Sequence, residues 1–318
     1  MQLTRKFGLP VLLGVMLLVL VFAGAGSVEA SARTATWTVA VTYQNVGDSP
    51  ASLLVNFFAE GSETPIDFDP LNGGTLQPGA GRSFWIGNVS GVTPGFNGNA
   101  VISSDQPMAS TVVQFSNDPG FNMRLLYSGF QASDSSDQFL VPTVLLNKWS
   151  RTTVFSIQNT ENEDIVATVR FYDADNNGTP STPINHTILA NSSKFIEMDN
   201  PADTGLGSAT VYNGSAIVTA VIAPGEPNAG DPANVVAAAN EYYVNSNVAT
   251  SYEGLPVSKA ANEIYVATGL CERFSLDTFY AVSNSGLSGN ATITINYFNT
   301  DGTPKAEDGP YVIGPGQK

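Results

Sequence analysis

Cysteine is almost missing from this sequence. Cys271 is the only one in 318 residues, so no intrachain disulfide can form and the fold must rest on hydrophobic cores. Histidine is as rare: His186 stands alone, in TPINHTIL (182–189) and in no nucleophile motif. A His-dependent triad or a His-rich zinc centre would have to be built on that one residue, so it is expected to be a surface strand residue. Basic residues are scarce too, 13 Lys and Arg against 28 Asp and Glu. A nucleic-acid binder needs the opposite balance, because its affinity comes from cations on phosphates. An anionic membrane surface is disfavoured for the same reason. Beyond the N-terminal region, no apolar run approaches the roughly 20 residues that span a bilayer.

The N-terminal region reads as a leader. Arg5 and Lys6 precede an apolar stretch from Val11 to Ala23, and Ala30-Ser31-Ala32 is a small-x-small cleavage site. Residues 1–32 are therefore expected to be a signal peptide and the mature chain to be exported. Cleavage removes Arg5, Lys6 and Glu29 and leaves 11 basic against 27 acidic residues, a net charge of −16. An acidic, extracellular or cell-surface protein is the expectation.

What the sequence has in abundance is repetition. Thr152–Pro180 (TTVFSIQNTENEDIVATVRFYDADNNGTP) has counterparts at Thr38–Pro65 and Thr278–Pro304. Each reads as two alternating strands around a turn, followed by a Gly- or acid-rich turn ending in Thr-Pro. In TWTVAVTY (36–43), Trp37, Val39, Val41 and Tyr43 share one face, the period of two of a strand with one buried side. Leu53, Val55 and Phe57 align with Ala167, Val169 and Phe171, and with Ile293, Ile295 and Tyr297. These are the expected inward sets.

Further along, 76–86 matches 188–198, and 98–115 matches 207–223, where two strands are expected to flank a tight polar turn. The stretch 136–160 aligns without gaps to 261–285 at an offset of 125, which places Cys271 opposite Leu146 as a small buried apolar residue. The 136–149 strand can open the second repeat or close the first. Pro224–Tyr252 is an excess in the second repeat, a hairpin or a short helix at 235–244.

Repeats of this length are whole domains rather than solenoid units. Short alternating strands with turn signals between them and little helical periodicity predict an all-β chain of tandem antiparallel β-sandwiches, with a β-barrel as the alternative. The expected boundaries are 33–135, 136–260 (with the insertion near 224–252) and a partial third repeat at 261–318. The missing strands of that last repeat would come from further sequence or, by strand exchange, from another chain.

Chemistry has few places to reside. Asp173, Asp175 and Asn177 open like a calcium loop, D-x-D-x-N-G, but Ile184 stands where a bidentate Glu is needed. Asp, Asn and Gly are also what a hairpin turn requires. Carboxylates such as Asp134, Asp137, Glu161, Glu163 and Asp164 fall in turns and linkers, so no catalytic pair stands out. Phe58, Tyr172 and Phe298 recur on the face opposite the core. They can stack on a carbohydrate ring or pack against a neighbouring loop or sheet.

The recurring VPTVLLNKWSRTTVFSIQNT, ATVRFYDADNNGTP, the Pro-Gly-Ala turn before a strand, and Tyr-Ser-Gly-Phe or Tyr-Glu-Gly-Leu resemble the tandem Ig-like repeats of large secreted bacterial surface proteins. The resemblance covers essentially the whole mature chain. It implies a β-sandwich array of the adhesion-related or stalk kind and supplies no catalytic residues. The expectation is a non-enzymatic surface protein without cofactors. Its partners would be surface or matrix components, including polysaccharide. The alternative is an accessory or carbohydrate-binding module of a secreted enzyme whose catalytic domain lies beyond Lys318.

Overall fold

A computed structural model describes residues 36–318, except 117, 119–122, 244–247, 273–277 and 287; the expected leader lies outside the described residues. The chain is all-β and sandwich-like, as the alternating patterns predict. Its first unit has seven strands, β1 (Trp37–Asn45), β2 (Leu53–Ala59), β3 (Ile66–Phe68), β4 (Gly81–Trp85), β5 (Gly98–Ser104), β6 (Met108–Ser116) and β7 (Met123–Ser128). They form two antiparallel sheets, β4-β1-β6-β7 and β3-β2-β5. Leu53, Val55 and Phe57 face Val41, Tyr43 and Phe84 across the core. Phe57 is fully buried and meets Phe84 and Phe96 edge to face at 6.1 and 6.4 Å. Trp37 departs from its expected place. It sits at the strand start and packs with Leu125, Ala249 and Tyr242, outside the sandwich core.

The second unit repeats this plan and adds to it. Its strands are β8 (Gln138–Leu146), β9 (Arg151–Asn159), β10 (Ile165–Asp173), β11 (Thr179–Pro180), β12 (Ile184–Ile188), β13 (Ser193–Glu197), β14 (Tyr212–Ile222), β15 (Val235–Tyr243), β16 (Ala249–Glu253) and β17 (Leu255–Pro256). One sheet runs β13-β9-β15-β16; the other runs β11-β10-β14-β8-β17, with β12 also on β10. By their pairing, β9, β10, β13, β14, β15 and β16 answer to β1, β2, β4, β5, β6 and β7. The stretch left open between hairpin and helix at 235–244 is a strand, the counterpart of β6. Ala167, Val169 and Phe171 are fully buried, like the set in β2.

Pairing also corrects a register. Phe57 lies opposite Ala100 and Phe171 opposite Ala216, so GNAVISS (98–104) answers to GSAIVTA (214–220), not to the stretch beginning at Gly207. The polar Asn213-Gly214-Ser215 is not a turn between two strands. It runs on within β14, opposite a bulge in β8: between the Gly214–Val144 and Ala216–Val141 pairs, Pro142 and Thr143 together face Ser215. A Cβ on Gly98 would lie 2.0 Å from the Phe58 carbonyl oxygen, and one on Gly214 would lie 2.1 Å from that of Tyr172. Close backbone approach thus demands glycine at the same place in both units.

Strand β8 lies on the outer edge of β14, within the sheet of the second unit. The third copy is built otherwise. Its β18 (Ala291–Phe298) and β19 (Pro304–Ile313) form a two-stranded hairpin, and Ile293, Ile295 and Tyr297 are only half-buried. Thr278–Asn284, expected to be a strand, is not one. The flanking partners that β9 finds in β13 and β15 have no counterparts there among the described residues, and a strand needs a ladder.

One side chain recurs in all three copies. Asn45 and Asn159 are fully buried and Asn284 half-buried, each at the end of its first strand or the matching position. The Oδ1 of each accepts from the backbone two residues on: Gly47 N at 2.9 Å, Glu161 N at 2.9 Å and Gly286 N at 3.0 Å. The Nδ2 of each donates across the same turn, to Ser49 O, Glu163 O or Gly289 O at 2.7–2.9 Å. It also donates to a distant strand end, Leu76 O, Leu189 O or Ile313 O. Replacing Asn159 by Ala strands several buried backbone groups at once, each worth about 1–3 kcal/mol. The expected loss is about 3 kcal/mol in urea unfolding with the slope unchanged; a loss below about 0.5 kcal/mol would remove the bracket from the fold's requirements.

Candidate functional surface

The junctions between units are the most elaborately built surfaces outside the cores. Before β13 the chain makes a turn in which Asn191 has φ 58°, and the matching Gly79 and Gly316 have 73° and 71°. Asn and Gly are the residues that tolerate this left-handed conformation. The Asn191 carbonyl accepts from Asn99 Nδ2 of the first unit at 2.8 Å, and Ser192 Oγ donates to Ala59 O at 3.2 Å. At the next junction Ser215 Oγ donates to Gly316 O, and Gln317 Nε2 donates to Asn177 O. Asn99 and Ser215 are equivalent, as are Asn191 and Gly316. The same turn therefore docks at the same site twice.

Further contacts hold the first two units. Glu60 Oε1 accepts from Phe195 N at 3.1 Å and from Lys194 Nζ at 3.3 Å. Lys194 also meets the buried Asp203 at 3.0 Å. Burial works against the Lys194 charge, but the Asp203 and Glu60 carboxylates outweigh it and hold its pKa above the ordinary value. On the other side, Ser251 Oγ donates to Leu126 O at 2.7 Å, Asn240 Nδ2 to Gln114 Oε1 at 3.1 Å, and Trp37 meets Tyr242 edge-on. Lys259 pairs with Asp134 and holds its carboxyl below the usual range.

The recurring aromatics fall at these junctions. Phe58 and Tyr172 are each 6% exposed, whereas Phe298 is 64% exposed. Phe58 precedes Ala59, the residue that takes the Ser192 hydrogen bond. Tyr172 packs with Leu140 and Ile217 and faces Gly316, where a Cβ would come within 2.4 Å of its ring. Tyr172 thus lies under neighbouring chain, Phe58 is buried beside the Ala59 contact, and Phe298 alone of the three is open. A recess of about 130 Å³ beside Tyr172, lined also by Thr168, Arg170, Ile217 and Thr219, is smaller than the ~300–1,000 Å³ of small-molecule sites.

The Asp173 loop closes itself. Asp173 Oδ1 accepts from Asp175 N at 2.9 Å, and Asn177 adopts φ 52°. Asp175 is clamped by Lys148 at 2.7 Å and by Asn213 Nδ2 at 2.9 Å. The Lys148 and Asn213 hydrogen bonds hold its carboxyl below the usual range. Among the described residues, no three His, Cys, Asp or Glu side chains gather as metal ligands would.

The remaining candidates take structural places. Glu161 fastens Asn234, Glu163 fastens Asn228, and Asp164 accepts from Ala190 N. The first two contacts tie down the loop between β14 and β15, and the third holds the turn between β12 and β13. His186 is buried rather than on the surface, because it points inward from β12. Its Nε2 lies 3.0 Å from the Asp203 carbonyl, which ties β12 to the short helix Pro201–Thr204. Cys271 is exposed rather than buried, because its segment is not a strand. No helix among the described residues is long and apolar enough to cross a membrane.

Burial lowers the pKa of His186 below 6.5. The unfolded chain then takes up a proton that the folded chain refuses, so this contribution is complete above about pH 6.5 and is lost as pH falls below it. His186→Gln is expected to flatten the stability profile between about pH 7 and 5 relative to the parent, read by thermal melts; parallel profiles would refute it. The melting temperature is expected to be the same in millimolar Ca²⁺ and in chelator, given the clamped Asp175. A rise with Ca²⁺ that Asp173→Ala abolishes would show a stabilising ion in this loop.

No protein-family model, curated protein or solved structure matches this chain.

Proposed function

We propose that this chain is a non-enzymatic, exported cell-surface protein in which Ig-like repeats, of the kind found in bacterial adhesion-related and stalk proteins, serve as spacer and contact surface. The observation that carries this reading is the junction used twice, Asn99 to Asn191 and Ser215 to Gly316. A chain that fixes successive domains by one repeated contact holds them at a set spacing, which a stalk or adhesin needs and a free enzyme does not. The leader-like N-terminus, the acidic composition and the use of turn carboxylates as loop braces support the same reading.

The exposed Phe298 favours a second reading, a carbohydrate contact on the β18–β19 hairpin, as in an accessory module of a secreted enzyme. Two measurements separate the readings. An impermeant amine-reactive label should modify the chain on intact producing cells. A strain lacking the chain should attach less to surfaces while its secreted hydrolase activity stays the same. Labelling only after lysis would overturn the surface reading, and a fall in hydrolase activity would move the chain to the accessory class. Retention in a polysaccharide gel that Phe298→Ala abolishes would establish the sugar contact.

A further inference from the structure

Among the described residues, two halves of one strand pair lie open. In the second unit, β8 covers the outer edge of β14. Phe139 sits opposite Val218, and Leu140 opposite Ile217. Phe139 and Val218 are fully buried, and Leu140 and Ile217 are 4% and 2% exposed. The acceptor edge recurs in the first unit as β5, GNAVISS against GSAIVTA. There β5 ends its sheet, with no strand on its other side among the described residues. Val101 and Ile102, equivalent to Ile217 and Val218, are only half-buried.

The donor recurs as well. Glu263-Ile264-Tyr265-Val266 stands at Gln138-Phe139-Leu140-Val141 in the gapless offset of 125. It belongs to no strand, and Ile264, Tyr265 and Val266 are 69%, 85% and 58% exposed. Three consecutive apolar residues in water are unfavourable, and an unpaired strand edge invites a strand.

The geometry points to strand exchange between copies: the 263–266 segment of one chain adds antiparallel to the free edge of β5 in a second chain. The register is set by the β8–β14 template. Glu263 falls opposite Ser103, Ile264 opposite Ile102, Tyr265 opposite Val101 and Val266 opposite Ala100. Ile264 then enters the core beside Ile102, as Phe139 does beside Val218. Tyr265 covers Val101 on the outer face next to Phe58, as Leu140 covers Ile217 next to Tyr172. Main-chain hydrogen bonds supply affinity and the alternating side chains fix the register. The docked turn does not exclude the added strand, because Ser215 carries the Gly316 contact within a strand that β8 already pairs. Donor and acceptor lie in different units, so each chain can give to one neighbour and receive from another, and the assembly grows head to tail. This deepens the surface-array reading with a self-partner, but it rests on the repeat geometry and not on the cellular address.

The test uses the chain without its expected leader in sedimentation equilibrium from about 1 to 100 µM, the range suited to a small edge contact. Concentration-dependent association is expected. In a strand only alternate residues direct their N–H to a given neighbour, so Ile264→Pro with Tyr265→Pro removes a donor whichever phase applies. That variant is expected to stay monomeric with an unchanged circular dichroism spectrum and melt, since the segment packs in neither sandwich. Register is read by mixing two Cys271→Ser chains, one with Ser103→Cys and one with Glu263→Cys. A disulfide-linked heterodimer should form, and should fail when the first cysteine is placed at the exposed Thr42 instead. A parent that stays monomeric, association that survives the double proline, or linkage to position 42 as efficient as to 103 would each overturn the exchange. None of these outcomes touches the surface-labelling result, so the two readings fail separately.

Discussion

A buried carboxamide at the end of the first strand is the constraint around which each repeat closes. A β-sandwich must join its two sheets through turns whose backbone groups point inward, and an inward group without a partner costs about 1–3 kcal/mol. Asn45 and Asn159 answer this with one side chain. Each uses its oxygen on the turn it begins, and its amide both on that turn and on a strand end about 30 residues away. Only a carboxamide has both a donor and an acceptor at that reach. Aspartate would supply oxygens but no donor, and it would carry a charge into a site with no solvent exposure. Asn284 makes the same contacts in the third copy, where the flanking strands have no counterparts among the described residues. The bracket is thus a local motif that does not wait for the whole sandwich.

The bracket also prepares the outer surface. The strand end that it holds leads into the left-handed turn at Gly79, Asn191 or Gly316, and the carbonyl of that turn docks on the preceding unit in two of the three cases. Internal closure and external contact are coupled through the short segments 76–79, 189–191 and 313–316. A repeat that closes correctly presents its docking turn in the correct place. The aromatic that follows the inward set is buried in the first two units, Tyr172 directly against the docking turn at Gly316, and its counterpart Phe298 stays open.

Much of this was legible in the sequence. Alternation at 53–57 and 167–171 fixed which faces are buried, because a period of two leaves a strand no choice once one face meets a core. The Gln-Asn pairs at 44–45 and 158–159, and Ser283-Asn284 in the third copy, give no sign of the bracket's work, since contacts to chain about 30 residues away leave no local signature. The matching of Gly98 to Gly207 failed because Gly-Ser-Ala recurs at 207 and 214, and only pairing against Phe171 chooses between them. The polar Asn213-Gly214-Ser215 read as a turn because Asn, Gly and Ser are turn residues, and only the pairing shows them continuing β14 opposite the bulge in β8. Trp37 obeyed the alternation but lies beyond the end of the sandwich, where an inward direction meets the next unit rather than a core. His186 looked like a surface residue from composition alone, and its burial depends on a carbonyl 17 residues away. The junctions were not legible at all, because their hydrogen bonds link common Asn, Ser and Gly residues across more than 90 positions.

Charge sets the last condition on such an array. With 28 acidic and 13 basic residues, neighbouring units repel one another. Two of the few cations are placed where that repulsion would act. Lys194 lies between Glu60 of the first unit and Asp203 of its own, and Lys259 reaches back to Asp134. The two inter-unit pairs, Lys194–Glu60 and Lys259–Asp134, are solvent-accessible, and such pairs contribute about 0.2–1 kcal/mol each, too little to hold two domains together by themselves. Their effect is directional. They remove like-charge contact at the boundary between the first two units and leave the rest of the surface acidic. Acid elsewhere then disfavours any other packing of one unit on the next, so specificity at the junction comes as much from the repulsion around it as from the bonds within it.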